Sequence, residues 1–442
     1  MDVATARWLT SDAARPALQA ATAEPDPASL AAATRLRALV TPEQAAAVLT
    51  QAVLRRKAVA KFGRRAERLF FTPDGLEQAT RAGVAARRAS RFAHLLAAAN
   101  HRALTAPGPI ADLGCGLGAD ALAFADAGLD VIAVERDEVT AILAEANLAS
   151  AWEPSDDEQP GATVGSAASP RGQANELLAA HGFEPCPRVE VGAAEERWPA
   201  LAQAWGDQPL VAPSGIAVFC DPARRTASGR TWRVEDLTPP WSFVESLLDG
   251  SRVACVKLGP GIPHRLIPDQ VWAEWTSEGG TVVECALWAG PGVMPGVRAA
   301  VVDGAELVAG RATDGAPVGP IEEYFYEPDG AVVRAGLVDE LARMIRAHRV
   351  ADQIAYLSAP WHMPTPFATA FRVREVLAYD EKVLRGWVRE HGVGTLEIKK
   401  RGIDVDPAQL RKRLKPKGRA QATLILTPTA SGAVAVVCER LR

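Results

Sequence analysis

Four short stretches of the 442-residue sequence end in residues that could do chemistry together. The first is Pro109-Ile-Ala-Asp-Leu-Gly-Cys-Gly-Leu-Gly-Ala-Asp120, an apolar run that breaks into glycines and then into a helical pattern beginning near Ala119. Gly114, Gly116 and Gly118 permit positive φ and close backbone approach, while the N–H groups of the next helix offer partial positive charge to a ligand. The second, Val131-Ile-Ala-Val-Glu-Arg-Asp137, closes on the acid Glu135. The third, Val218-Phe-Cys-Asp-Pro-Ala-Arg-Arg-Thr226, closes on Asp221 and Pro222, and a fourth ends at Lys257. Ligands of open α/β sheets bind beyond the carboxyl ends of the strands, so these four ends face one crevice. Asp221 can position or polarise a nucleophile there, Arg224 or Arg225 can hold a phosphate or carboxylate, and Lys257 can pair with Asp221 or meet an anion.

A glycine-rich turn of this kind also opens dinucleotide folds, as G-x-G-x-x-G with an acid about 20 residues on. Here the glycines run G-x-G-x-G, and Asp112 precedes the first of them. In this form the stretch resembles the S-adenosylmethionine loop of class I methyltransferases, D-L-G-C-G-x-G-x-D. The resemblance implies that the loop lies against the methionine part of the cofactor and that Glu135 binds the ribose hydroxyls. The cofactor set it implies is Asp112, Gly114, Cys115, Gly116, Gly118, Asp120, Glu135, Arg136, Ala194, Glu195 and Asp221. Relatives often carry an acid just past the third strand for the adenine amine; this chain has Ala193 there and Glu195 slightly later. Amino-methylating relatives carry Asn or Asp, Pro, Pro and an aromatic after strand four. Ala223 and Arg224 replace the last two, which puts base stacking by this motif in doubt and leaves Asp221, Pro222 and Lys257 as the catalytic candidates.

The sequence surrounding these stretches must position them. Residues 1–105 read as a helical domain, with Thr41-Pro42 starting one helix and Thr72 capping another that runs through Phe92. From 106 to 310 apolar runs alternate with helical ones, the pattern of a parallel sheet with crossover helices. Strands are expected at about 109–113, 131–135, 188–191, 215–220 and 252–258. Residues 281–288 and 297–303 would form an antiparallel pair that completes a seven-stranded, Rossmann-like α/β methyltransferase core. Residues 152–171 are rich in Gly, Ser, Pro and acid and read as a disordered insertion. A linker segment at 311–360 leads to a small basic α+β domain at 361–442.

Length alone calls for two or three domains, since single cores stop growing near 250–300 residues. The formal net charge of −4 excludes a globally basic nucleic-acid binder, so any such contact must be local. That local charge exists in Lys399, Lys400, Arg401, Arg411, Lys412, Arg413, Lys415, Lys417 and Arg419, opposed by Asp404 and Asp406. It suits phosphate-backbone contact. Lys399-Lys-Arg-Gly-Ile403 and Leu410-Arg-Lys-Arg-Leu-Lys415 resemble the terminal domain called THUMP-like. Together with Leu69-Phe-Phe-Thr72 and Glu327–Gly336 the resemblance covers most of the chain outside 152–171, and it implies RNA, tRNA or rRNA, as substrate. Six cysteines stand singly and seven histidines are scattered, so neither a disulfide framework nor a metal is expected. With no basic leader and no apolar run of about 18 residues, a cytoplasmic, membrane-free protein is expected.

Overall fold

The computed structural model of the protein describes residues 1–99, 109–150, 187–206, 215–224, 233–310 and 314–441. Arg225, Cys186 and the insertion expected at 152–171 lie outside them. The chain divides into two compact units. The first comprises Met1–Leu258, Arg265–Val271 and Leu287–Pro295; the second comprises Gly259–His264, Trp272–Ala286 and Gly296–Arg442.

The first unit begins with helices α1 (Val3–Leu9), α2 (Arg15–Ala23), α3 (Leu30–Arg37), α4 (Pro42–Phe62), α5 (Pro73–Gln78) and α6 (Ala82–Ala99). Thr41 and Gln44 form a reciprocal capping box at the start of α4, satisfying two N–H groups that a helix start otherwise leaves orphaned. The single helix expected after Thr72 is two helices. Thr72 caps only α5, because Lys61 Nζ donates to the carbonyl oxygens of Leu76 at 2.7 Å, Glu77 at 2.6 Å and Ala79 at 3.0 Å. A cation satisfying the last carbonyls ends a helix. The chain breaks after Ala79 and restarts as α6, leaving Thr80 in the break.

Two buried amides hold the segment before α5. Gln51 donates to the Phe71 carbonyl at 2.7 Å and accepts the Phe71 N–H at 2.9 Å. The N–H of Phe70 donates to Asn147 Oδ1 at 2.7 Å, and Asn147 Nδ2 donates to the carbonyls of Phe70 at 3.0 Å and Leu117 at 2.9 Å. These side chains satisfy backbone groups that would otherwise be buried unpaired. Asn147→Ala is expected to cost about 2–4 kcal/mol, since it removes three hydrogen bonds and orphans their backbone partners. Urea unfolding checks this, and an unchanged midpoint would refute the clamp.

The sheet of the first unit follows. Its elements are β1 (Pro109–Leu113), α7 (Ala119–Asp126), β2 (Asp130–Glu135), α8 (Glu138–Ser150), β3 (Arg188–Val191), the helix Ala194–Gly206, β4 (Ala217–Cys220) and β7 (Ala254–Leu258). A two-stranded ribbon, β5 (Ala223–Arg224) with β6 (Leu237–Thr238), stands apart. The strands run parallel in the order β3-β2-β1-β4-β7, with bounds within two residues of those expected. The order in which successive strands are added reverses between β1 and β4, and the crevice at such a switch point is where ligands bind. Phe92 of α6 meets Phe124 of α7 at 5.4 Å and Trp288 at 4.9 Å, and Phe124 meets Phe219 of β4 at 5.5 Å. This aromatic file seats α6 against the sheet.

In the second unit, the pairing expected of 281–288 with 297–303 is replaced by another. Strand β8 (Trp272–Glu278) and β9 (Thr281–Ala289, whose residues from Leu287 on belong to the first unit) are neighbours joined by Gly279-Gly280, with φ of 59° and 74°. Positive φ at both central residues suits a tight hairpin. Strand β10 (Arg298–Val302), expected from the sequence, runs parallel to β8, and β11 (Ala305–Val308) pairs antiparallel outside it, so β8 and β11 are additions to the seven strands expected. β8 escaped the sequence reading because Glu274, Thr276 and Ser277 interrupt its apolar run, yet all three are buried.

A separate sheet in the second unit has the order β13-β14-β12-β15-β18-β17-β16. Its strands are β12 (Tyr324–Pro328), β13 (His348–Arg349), β14 (Leu357–Ala359), β15 (Ala368–Ala378), β16 (Val393–Lys400), β17 (Ala420–Thr429) and β18 (Gly432–Arg440). Helices Glu381–Glu390 and Pro407–Leu414 bury Leu384, Val388, Leu410 and Leu414 against Leu424, Leu426 and Val437 of the strands. Residues 311–360, read from sequence as a linker, supply β12, β13 and β14.

Candidate active site

Strand register brings the four chemical stretches to one level. Leu113 pairs with Val134 of β2 and with Cys220 of β4, and Cys220 pairs with Val256 of β7. One residue beyond these pairs stand Gly114, Glu135, Asp221 and Lys257. All four line a cavity of about 1280 Å³. Cys115, Gly116, Asp120, Arg136, Ala193, Ala194, Glu195 and Pro222 line it as well. Asp112 lies behind the wall, and Gly118 turns the chain into α7 with a φ of 82°. The side chains of Arg224 and Arg225 are outside the described residues.

The glycine turn has the conformation its sequence calls for, with φ of 82° at Gly114 and 55° at Gly116. The Glu135 carboxylate is fixed across it, accepting the Gly116 N–H at 3.0 Å through Oε2 and the Asp137 N–H at 2.9 Å through Oε1. Burial first, then the nearby Asp112 and Glu135 charges, push the Cys115 thiol well above its ordinary range, so it lines the cavity as a neutral thiol.

Asp112 is fully buried and neither carboxylate oxygen has a hydrogen-bond partner among the described residues. Burial, reinforced by Asp120 and Asp221, drives its pKa well upward. Asp221 is also raised: the enclosing walls desolvate it even though 34% of its side chain is exposed, and its contact with Lys257 only partly offsets that effect. Lys257 Nζ bonds Asp221 Oδ2 and donates to Thr80 Oγ1 at 3.0 Å. Thr80 donates to Asp120 Oδ2 at 2.6 Å, and Asp120 Oδ1 is paired with Arg88.

The opposite wall is helical. Asp2 and Thr5, Glu43 and Gln51 of α4, and the turn from Phe71 to Thr80 all face the cavity. Sequence reading assigned none of them, and Thr80, Gln51 and Arg88 carried no local signal. The described lining holds two cationic side chains, Arg136 and Lys257, against Asp2, Glu43 and Asp74 on the helical wall and Glu135, Asp137 and Glu195 on the other. Such a cavity carries a negative field and favours a cationic ligand.

An S-adenosylmethionine molecule fits this donor set. A carboxylate held at the end of the second strand can accept from two hydroxyls, the glycine turn leaves room for close approach, and the carboxylate-rich walls match a sulfonium. Among the described residues no group of three or more His, Cys, Asp or Glu side chains is arranged to hold a metal ion, and no helix is long and apolar enough to cross a membrane.

The basic cluster in the second unit is smaller in effect than its sequence count. Lys399 pairs with Glu327 at 2.7 Å, Arg413 with Glu381 at 2.8 Å, Arg411 donates to the Leu396 carbonyl at 2.6 Å, and Arg401 lies 5.1 Å from the Tyr356 ring centre. Lys400, Lys412, Lys415, Lys417 and Arg419 are exposed, and among the described residues none of them pairs with a carboxylate.

Residues 368–440 match the family described as THUMP domain-like, and residues 2–58 match a domain of unknown function, DUF8688. The chain is 28% identical over 408 residues to proteins from two strains of Mycobacterium tuberculosis, CDC 1551 and H37Rv, each named an uncharacterized S-adenosylmethionine-dependent methyltransferase. That match covers 88% of this chain and 96% of theirs. A crystal structure of a candidate methyltransferase from Porphyromonas gingivalis W83 superposes with a TM-score of 0.66 at 19% identity, covering 91% of this chain and 92% of that one. The chain therefore has the class I methyltransferase fold and ends in a THUMP-like domain.

Proposed function

We propose that this protein is an S-adenosylmethionine-dependent methyltransferase acting on a nucleobase in structured RNA, tRNA or rRNA. The observation that carries the reading is the level row of Gly114, Glu135, Asp221 and Lys257 at the carboxyl edge of the parallel sheet. The long match to relatives named as methyltransferases of this cofactor supports the activity, and the THUMP domain-like segment with its exposed cations supports RNA.

When bound, S-adenosylmethionine supplies an electrophilic methyl group on a sulfonium. The chain supplies the rest. Glu135, fixed by two N–H groups, would hold the ribose hydroxyls, and the glycine turn together with Ala194 and Glu195 would enclose the adenosine. Asp112, whose burial favours the neutral carboxyl, packs behind the turn, and Asp120 is held there by Arg88. Asp221 and the Pro222 carbonyl would accept hydrogen bonds from the target N–H, and Asp221 would take up its proton when the N–C bond forms at the expense of the S–CH3 bond, whose electron pair stays on the departing thioether. Lys257 holds one Asp221 oxygen, leaving the other for the acceptor. Orientation of this kind, more than acid–base strength, limits methyl transfer.

Because the cavity walls are acidic, phosphates are to be gripped elsewhere, by Lys400, Lys412, Lys415, Lys417 and Arg419. Filter binding to total tRNA tests this. With five cations, the slope of log K against log salt is expected to reach no more than about −4, and replacing Lys412, Lys415 and Lys417 with Gln should reduce it by about 2–3. A salt-independent affinity would sink the RNA reading in favour of a small-molecule or protein acceptor, for which the helical wall would serve as a cover.

A further inference from the structure

The chain Arg88–Asp120–Thr80–Lys257–Asp221 joins the helical segments to the end of β4 through hydrogen bonds and ion pairs. Its buried end is rigid. Arg88 and Asp120 have side chains 2% and 7% exposed, and the guanidinium lies 4.7 Å from the Phe219 ring centre. Thr80 has one hydroxyl hydrogen, and Asp120 takes it. Thr80 therefore presents only lone pairs to Lys257 Nζ, an arrangement that favours the ammonium and sets its direction. The ammonium in turn fixes which Asp221 oxygen is tied and which faces the cavity.

We infer that Thr80 is a positioning residue for the acceptor site, supplied by the break between α5 and α6, and that the Arg88–Asp120 pair orients its hydroxyl for that task. The inference rests on the methyl-transfer reading above. It gives the helical domain a part in the reaction beyond covering the cavity: Lys61 ends α5 at the residue that places Thr80 opposite Lys257.

Substituting Thr80 by Val keeps the shape and removes the hydroxyl. Lys257 is then faced by Asp221, just past β4, by Asp112 of β1 and, at longer range, by Lys61 of α4. With the Thr80 acceptor gone the ammonium loses the contact that sets its direction toward Asp221. The Asp221 oxygen that the ammonium ties is then no longer held in one position, and the oxygen offered to the acceptor is misdirected.

The test measures methyl transfer from labelled S-adenosylmethionine to RNA from cells lacking the protein, together with acetic anhydride labelling of Lys257 followed by mass spectrometry. In Thr80→Val, kcat should fall about 10- to 100-fold, as a displaced catalytic group costs, while the cofactor Kd holds. Lys257 should acetylate faster at pH 8, and Thr80→Ser should restore both readouts. Wild-type kcat in Thr80→Val, or an unchanged Lys257 labelling rate, overturns the inference. Wild-type protein that transfers no methyl overturns the reading beneath it, a failure the labelling arm keeps separate.

Discussion

Asp221→Asn is expected to lower kcat for methyl transfer by about 10²–10⁴, the usual contribution of a positioned proton acceptor, while S-adenosylmethionine still binds. The amide keeps the shape of the carboxyl group but cannot take the proton released as the acceptor nitrogen is alkylated. The pH profile makes the assignment specific. Burial raises the Asp221 pKa in the folded protein, and only the ionised form accepts a proton. The wild-type rate should therefore climb with pH along an acid limb lying above the ordinary carboxylate range, and the limb should vanish in the Asn variant. A variant that keeps the wild-type rate and limb would remove Asp221 from the reaction.

Gly116→Arg is expected to abolish cofactor binding, by at least about 100-fold in Kd or about 2.7 kcal/mol. A Cβ at Gly116 meets no atom within 4 Å, so the larger side chain does not break the core; it projects into the space the cofactor needs. The backbone there has a φ of 55°, which costs a residue with a side chain about 1–2 kcal/mol. Gly116→Ala separates the two effects, since it carries the strain without the bulk and should weaken binding only about tenfold or less. Calorimetry reads both variants, and arginine-variant binding as tight as wild type would disprove the cradle.

The glycine-turn side of the cavity was legible in the sequence because its signals are local. A glycine turn after β1 and an acid at the end of β2 each declare themselves within a dozen residues, and parallel pairing then aligns them. On the other side of the cavity only Asp221, Pro222 and Lys257 were legible, for the same reason. Thr80 was hidden because its meaning depends on Lys257, 177 residues away, and on a helix break made by Lys61. Gln51 and Asn147 looked like ordinary helix residues, since nothing local shows that each will pair a distant backbone. Strand β8 was lost to its buried polar residues, and the pairing of β10 was misread as a result. The basic cluster was overcounted because Glu327 and Glu381, which neutralise two of its members, are remote in sequence.

One amide gives the first unit a cooperative character. Asn147 bonds at once to Phe70, beside α5, and to Leu117, inside the glycine turn. Opening either segment breaks bonds that hold the other, so the two form a single unit of local unfolding rather than two independent loops. Free energy released when a ligand settles on the glycine turn is thereby shared with residues 70–71 and the turn that follows. On the proposed function, occupancy of the glycine turn would therefore be linked to the order of residues 70–71, which lead into α5.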